Sequence, residues 1–181
     1  MSDDGLDLEL HDAGVESPPP PPQPQPARLV EVRDALPGDL AGLAAAVWDL
    51  PLLRRYDTNE QGLRRNLEEA LARGEGLVVG TRDGAPVGFA WFLEQGAFAL
   101  GGYLRLIALA PGHQGLRLGG LLLAEVERRV AARARALFLF VSDFNVDAQR
   151  FYQRRGYQHT GTLHAFVRPD IDELVYWKRL R

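Results

Sequence analysis

The chain has 181 residues, 46% of them hydrophobic, with a formal net charge of −3, which is one domain's worth of sequence and enough apolar material for a sizeable core. It contains no cysteine, so disulfide frameworks, thiolate nucleophiles and Cys-ligated zinc or iron–sulfur sites are excluded. Residues 1–27 hold six acidic side chains and no basic one, leaving residues 28–181 with 21 basic against 18 acidic groups. A modestly positive body suits a phosphorylated small molecule better than a nucleic-acid duplex, which calls for a clustered basic face.

At the amino terminus, Met1 to Leu10 alternate acidic and apolar residues, and no window approaches 18 apolar residues in a row, so a soluble, cytoplasmic protein with no membrane partner is expected. The run Ser17-Pro-Pro-Pro-Pro-Pro-Gln-Pro-Gln-Pro26 lacks the N–H groups that helices and ladders need. Residues 1–27 therefore read as a disordered acidic, proline-rich tail. It is an extended spacer or, alternatively, a docking site for a proline-motif-binding partner.

From residue 28 onward strand and helix signals alternate. A short strand is expected over 28–32, a helix over 37–48 and a second over 58–73, with Thr58 or Asn59 as its N-cap. Strands over 77–81 and 87–93 flank Asp83-Gly84, a tight-hairpin signal. An apolar strand over 104–110 ends at Pro111-Gly112. After it Leu118, Leu122, Val126 and Val130, with Leu121 alongside, repeat at helical spacing. The short apolar run 137–141 reads as a buried central strand, 145–155 as a helix stopped by Gly156, and 157–167 with 172–180 as a closing antiparallel pair. About seven strands and about four helices make an α/β (α+β) domain over 28–181 with a mixed, largely antiparallel sheet.

Two stretches carry chemistry. In the first, a strand runs through Pro111-Gly-His-Gln-Gly-Leu-Arg-Leu-Gly-Gly120 into the long helix. The unpaired N–H groups of a helix's first turn face whatever lies before them, and a diphosphate would satisfy them. Neither Gly-x-Gly-x-x-Gly nor Gly-Lys-Ser/Thr occurs there, so it is neither a dinucleotide fingerprint nor a Walker loop. The second stretch is Asn145-Val-Asp-Ala-Gln-Arg-Phe-Tyr-Gln-Arg-Arg-Gly-Tyr157. Asn145 reads as an N-cap and Tyr152, beside Phe151, as a core aromatic.

Taken together, Gln114-Gly-Leu-Arg-Leu-Gly119 followed by Asn145, Ala148, Phe151-Tyr152 and Gly156-Tyr157 resembles the GCN5-related N-acetyltransferase (GNAT) superfamily over roughly residues 28–181. The resemblance implies a splayed central parallel strand pair, 104–110 and 137–141, that admits the pantetheine arm of acetyl-CoA as co-substrate, with no metal. Peptide groups of Ile107 and Leu109 would pair with that arm. The diphosphate would rest on Gln114, Gly115, Leu116, Arg117, Leu118, Gly119 and Gly120, Asn145 would hydrogen-bond the arm, and Tyr152 would contact the thioester sulfur and protonate the departing thiolate. A thiol pKa of about 8.5 against about 10 for a phenol makes tyrosine an adequate acid for that step.

Two positions depart from the family pattern. Arg117 stands where the family usually has glycine; its guanidinium either reaches a phosphate of the cofactor or crowds the loop. Phe140 occupies the position, five residues before the Asn, where some members carry a glutamate base. Glu94, His113, His164, Asp172 and Glu173 are the remaining candidates, each read as a surface or loop residue. The expected function is acetyl transfer to a primary amine, small molecule or peptide. Its rival is a non-catalytic acyl-CoA-binding or interaction module on the same fold. The acceptor pocket is expected around Trp48, Tyr56, residues 94–102 and His164, and a homodimer is left open.

Overall fold

Asp83 and Gly84, both at positive φ (52° and 82°), turn β2 (Gly76–Arg82) back onto β3 (Ala85–Ala97), as an Asp-Gly pair favours. The computed structural model describes residues 29–115 and 117–181; the proline-rich tail and its expected boundary at residue 27 lie outside these. The hairpin belongs to a seven-stranded sheet of order β1-β2-β3-β4-β5-β7-β6. Its other strands are β1 (Val30–Asp34), β4 (Gly101–Leu109), β5 (Ala136–Ser142), β6 (Gln158–Arg168) and β7 (Ile171–Arg179). Every neighbouring pair is antiparallel except β4 and β5, which run parallel.

Among the described residues five helices accompany the sheet: α1 (Leu40–Val47), α2 (Pro51–Arg55), α3 (Glu60–Ala72), α4 (Leu118–Ala131) and α5 (Val146–Gln153). The helix expected over 37–48 divides into a 3₁₀ turn, Pro37–Asp39, and α1. The additional helix is α2, which at five residues is too short to display a hydrophobic period; Pro51 in its first turn starts it. Asn59 caps α3, its side chain accepting from the Gly62 N–H at 2.8 Å.

One apolar cluster joins α4 and α5 to one face of the sheet, and a second joins α1 and α3 to the opposite face of β2–β4. α4 buries Leu118, Leu122, Leu123, Val126 and Val130, each worth about 1.5–3 kcal/mol of transfer free energy, so it anchors the sheet's centre. α5 fully buries only Tyr152. On the sheet face opposite α4, strands β5 and β7 carry half-buried aromatics: Phe138 stacks with Trp177 at 6.0 Å, and Phe140 meets Tyr103 at 5.4 Å and Phe166 at 6.0 Å edge-on.

At Gly102 α4 packs tightly on the sheet. A Cβ there would lie 2.5 Å from Cγ1 of Val130 and 2.9 Å from the Leu93 carbonyl oxygen. Neither the stiff valine nor the paired strand can retreat. Gly102→Ala is expected to destabilise the fold by about 1–3 kcal/mol through overpacking, read as a lower urea midpoint at unchanged m-value; an unmoved midpoint would mean that α4 does not press on β4 here.

Candidate active site

β4 pairs with β5 only where Gly101–Leu104 face Ala136–Leu139. Beyond Leu104 the two strands continue, β4 to Leu109 and β5 to Ser142, each bonded only to its outer neighbour, β3 or β7. A cleft of about 80 Å³ opens between them, lined by Leu104, Ile107, Phe140, Ser142, Asn145 and Tyr152, with Leu52 of α2 at its rim. The Ala110 N–H donates to the Val87 carbonyl at 2.8 Å. Alternation along the strand then turns the peptide groups of Ala108 toward β3 and those of Ile107 and Leu109 toward the cleft.

At one end of the cleft α4 begins. Arg117 sits immediately before it at φ 63°, ψ −9°, a left-handed conformation that costs a non-glycine residue about 1–2 kcal/mol. Its carbonyl accepts from Gly120 (2.9 Å) and Leu121 (3.1 Å), while the N–H groups of Leu118 and Gly119 have no partner among the described residues. Gly115, at φ 79°, turns the loop; Gln114 is exposed in that turn, and Leu116 lies outside the described residues. Beside the helix start stands a cation that the sequence reading missed. Arg155, after α5, lies 3.7 Å over the Phe151 ring, with Nη2 only 2.7 Å from where a Gly120 Cβ would be. An arginine after a helix is ordinary in sequence, and only the packing of α5 on α4 gives it this neighbour.

α5 supplies the opposite wall. Asn145 caps it, Oδ1 accepting from the Ala148 N–H at 3.2 Å, which leaves its amide N–H₂ free to donate into the cleft. About two turns later Tyr152 is 6% exposed, its ring edge-on to Phe151 (5.0 Å) and Tyr157 (5.4 Å). Burial raises its pKa well above the ordinary phenol value, against the opposing pull of the Arg155 charge. The hydroxyl therefore keeps its proton and can act as an acid, not as a base.

A second polar group stands at the far end of β5. Ser142 pairs with Glu173 of β7 across the ladder, and both are only 4% exposed. Tyr56, between α2 and α3, reaches both: its hydroxyl lies 2.7 Å from Ser142 Oγ and donates to Glu173 Oε1. Ion pairs of Arg168 with Asp57 and of Arg55 with Asp170 (3.2 Å) tie the α2–α3 segment to the β6–β7 hairpin and hold Tyr56 over the sheet. Burial raises the Glu173 pKa above the usual carboxylate value, opposed by the Tyr56 hydrogen bond and reinforced by the Asp143 charge.

Glu173 is thus a correction to the surface reading, since the β7 register turns it inward. The other base candidates are exposed or engaged elsewhere: Glu94 pairs with Arg133 at 2.7 Å, His164 pairs with Asp172 at 2.7 Å, and His113 Nδ1 stands 3.2 Å from the Pro111 carbonyl. Of the expected acceptor pocket, Tyr56 reaches the cleft end of β5. Residues 94–102 lie at the closed end, where β4 and β5 still pair, and Trp48 packs on the α1–α3 core. Among the described residues no group of three His, Asp or Glu side chains could hold a metal, and no helix is long and apolar enough to cross a membrane.

Residues 43–157 match the family described as Acetyltransferase (GNAT) family. The chain belongs to the GNAT acetyltransferase family. Among solved structures it is similar to a protein of Desulfovibrio desulfuricans assigned to the GNAT family (27% identity, 84% of this chain and 100% of that one, TM-score 0.71). It is also similar to a ribosomal-protein-alanine N-acetyltransferase from Brucella melitensis (23%, 82% and 99%, TM-score 0.63) and to yncA from Salmonella typhimurium, solved with its cofactor acetyl-CoA (17%, 84% and 94%, TM-score 0.63). The last two likenesses are of fold. No curated protein matches the chain.

The left-handed backbone at Arg117 gives a physical reason for the glycine that the family pattern read from the sequence places here: the turn into α4 needs a positive φ. Arg117→Gly is therefore expected to raise stability by about 0.5–1 kcal/mol, the strain relieved being partly offset by the freer unfolded chain, while Arg117→Ala stays near wild type. Thermal melts of the three proteins check this, and a glycine variant no more stable than the alanine variant would remove the strain argument.

Proposed function

We propose that this GNAT protein transfers an acetyl group from acetyl-CoA to a primary amine, with Tyr152 as the general acid. The observation that carries the reading is the cleft itself, an unpaired strand edge offering the peptide groups of Ile107 and Leu109 opposite the free amide of Asn145 and the protonated hydroxyl of Tyr152.

The residues fit the co-substrate. An arm built of amides finds ladder-type partners on β4 and a donor in Asn145. A diphosphate finds the N–H groups of Leu118 and Gly119, without partners among the described residues, at the positive end of α4, worth about 0.3–1 kcal/mol in dipole terms alone, with Arg155 alongside. Bound there, acetyl-CoA supplies the activated acyl group as a thioester. The N–H of Leu109 then donates to negative charge developing on the acyl oxygen. Tyr152 holds the proton that a departing thiolate needs, and Leu52 and the aromatic neighbours of Tyr152 keep bulk water from that proton.

The test uses the wild type and Tyr152→Phe with three amines: an alanyl tetrapeptide, spermidine and kanamycin. Acetyl-CoA at a hundredfold excess over its dissociation constant is expected to stabilise both proteins by about 2.7 kcal/mol. CoA release should appear with at least one amine, and Tyr152→Phe, which keeps the ring and its packing, should lower kcat by about 10²–10⁴-fold with little change in acetyl-CoA affinity. Because burial holds the Tyr152 proton, no loss of wild-type rate from its ionisation is expected below about pH 10. Stabilisation by acetyl-CoA without CoA release would identify a binding module instead, and an unaltered phenylalanine variant would leave Tyr152 as a packing residue.

A further inference from the structure

We propose that Ser142, Tyr56 and Glu173 form a proton relay that deprotonates the attacking amine, with Ser142 as the residue that meets it and Glu173 as the final acceptor. The proposal deepens the acetyl-transfer reading of the cleft and rests on it.

The direction of the relay follows from hydrogen counting. A phenol has one proton, and Tyr56 donates it to Glu173 Oε1. The 2.7 Å contact between Tyr56 Oη and Ser142 Oγ must then be donated by the serine. With its only proton given to Tyr56, Ser142 Oγ has lone pairs left to accept from a donor in the cleft, and Ser142 lines the same cleft as Tyr152. Glu173 itself lines no part of the cleft and is 4% exposed, so an amine reaches its carboxylate only through the two hydroxyls.

The face is also the right one. Along β5, Phe138, Phe140 and Ser142 alternate with the buried Leu137, Leu139 and Val141, and across the ladder they meet Trp177, Val175 and Glu173. Phe140 closes the position from which a β5 carboxylate would act. Two residues further along the same face, Glu173 comes from the neighbouring strand. Besides Tyr56, the titratable groups facing it are Asp143 after β5 and Tyr103 of β4. No ion pair among the described residues includes it, so no cation holds its proton off.

The step balances as three transfers. An N–H bond of the bound ammonium breaks as a bond to Ser142 Oγ forms; the serine proton passes to Tyr56 Oη; the phenol proton passes to Glu173 Oε1. The amine is left neutral with its lone pair free to attack the thioester carbonyl. Glu173 later returns the proton to solvent by the reverse path. A carboxylate whose pKa lies above the usual range is the better base for it.

The experiment measures Ser142→Ala and Glu173→Gln beside wild type, with acetyl-CoA and whichever of the alanyl tetrapeptide, spermidine or kanamycin the wild type acetylates fastest. Ser142→Ala keeps the Tyr56–Glu173 bond, and Glu173→Gln keeps an oxygen for Tyr56. Each is expected to lower kcat about 10²-fold at pH 7 with an unchanged KM for acetyl-CoA, and to recover toward wild type as pH approaches the amine's own pKa, where solvent supplies the neutral form. A second readout needs no activity. Since folding raises the Glu173 pKa, wild type is stabilised below the unfolded carboxyl value of about 4.3 and loses that stability as pH rises through the folded value. Glu173→Gln should therefore melt higher than wild type at pH 8 and no higher at pH 4. Variants as active as wild type at pH 7, a rate deficit that persists at every pH, or a melting difference flat with pH would each overturn the relay. A wild type idle with every amine would overturn the acetyl-transfer reading, and the relay with it.

Discussion

Four residue pairs of parallel ladder hold the two halves of this sheet together, and the site exists because the ladder stops there. β4 satisfies its other edge on β3 and β5 satisfies its other edge on β7 along nearly their whole lengths, so neither strand needs the other beyond Leu104 and Leu139. α4 makes the split tolerable: its five buried apolar side chains pack across both halves and join them where hydrogen bonds do not. A buried backbone group without a partner is otherwise costly. The opened edge is stable in proportion to how readily water or a ligand's amides replace the missing strand.

The same burial does two different things at two titratable groups. Around Tyr152 it comes from the rings of Phe151 and Tyr157 and holds the phenol in its protonated form. Around Glu173 it comes from β7, β5 and the α2–α3 segment and makes a carboxylate keener to accept one. Both protonation preferences are set by packing.

Much of this was legible in the chain itself. The alternation of apolar runs with Gly, Pro and Asp-Gly breaks marks the strands, and the spacing of Asn145, Ala148, Tyr152 and Gly156 marks the second wall. What the sequence hid was non-local. Nothing in Asp172-Glu173-Leu174 tells which carboxylate faces inward; that depends on the register of β7 against β5, and a shift of one residue would exchange the two. α2 was hidden by its length. Arg117 looked like a departure from pattern, and the backbone explains what the pattern is for: the positive φ is retained although the residue that adopts it most cheaply is not.

The half-finished ladder also divides the amides of one strand into two kinds. Along the open part of β4 and just past its end, Ala108 and Ala110 turn toward β3, whereas Ile107 and Leu109, their immediate neighbours, turn toward the cleft. In hydrogen-exchange terms the first pair is released only when the sheet itself opens, and the second exchanges as a surface loop does while sitting in mid-strand. A single strand thus carries, residue by residue, both a gauge of global unfolding and a gauge of cleft occupancy.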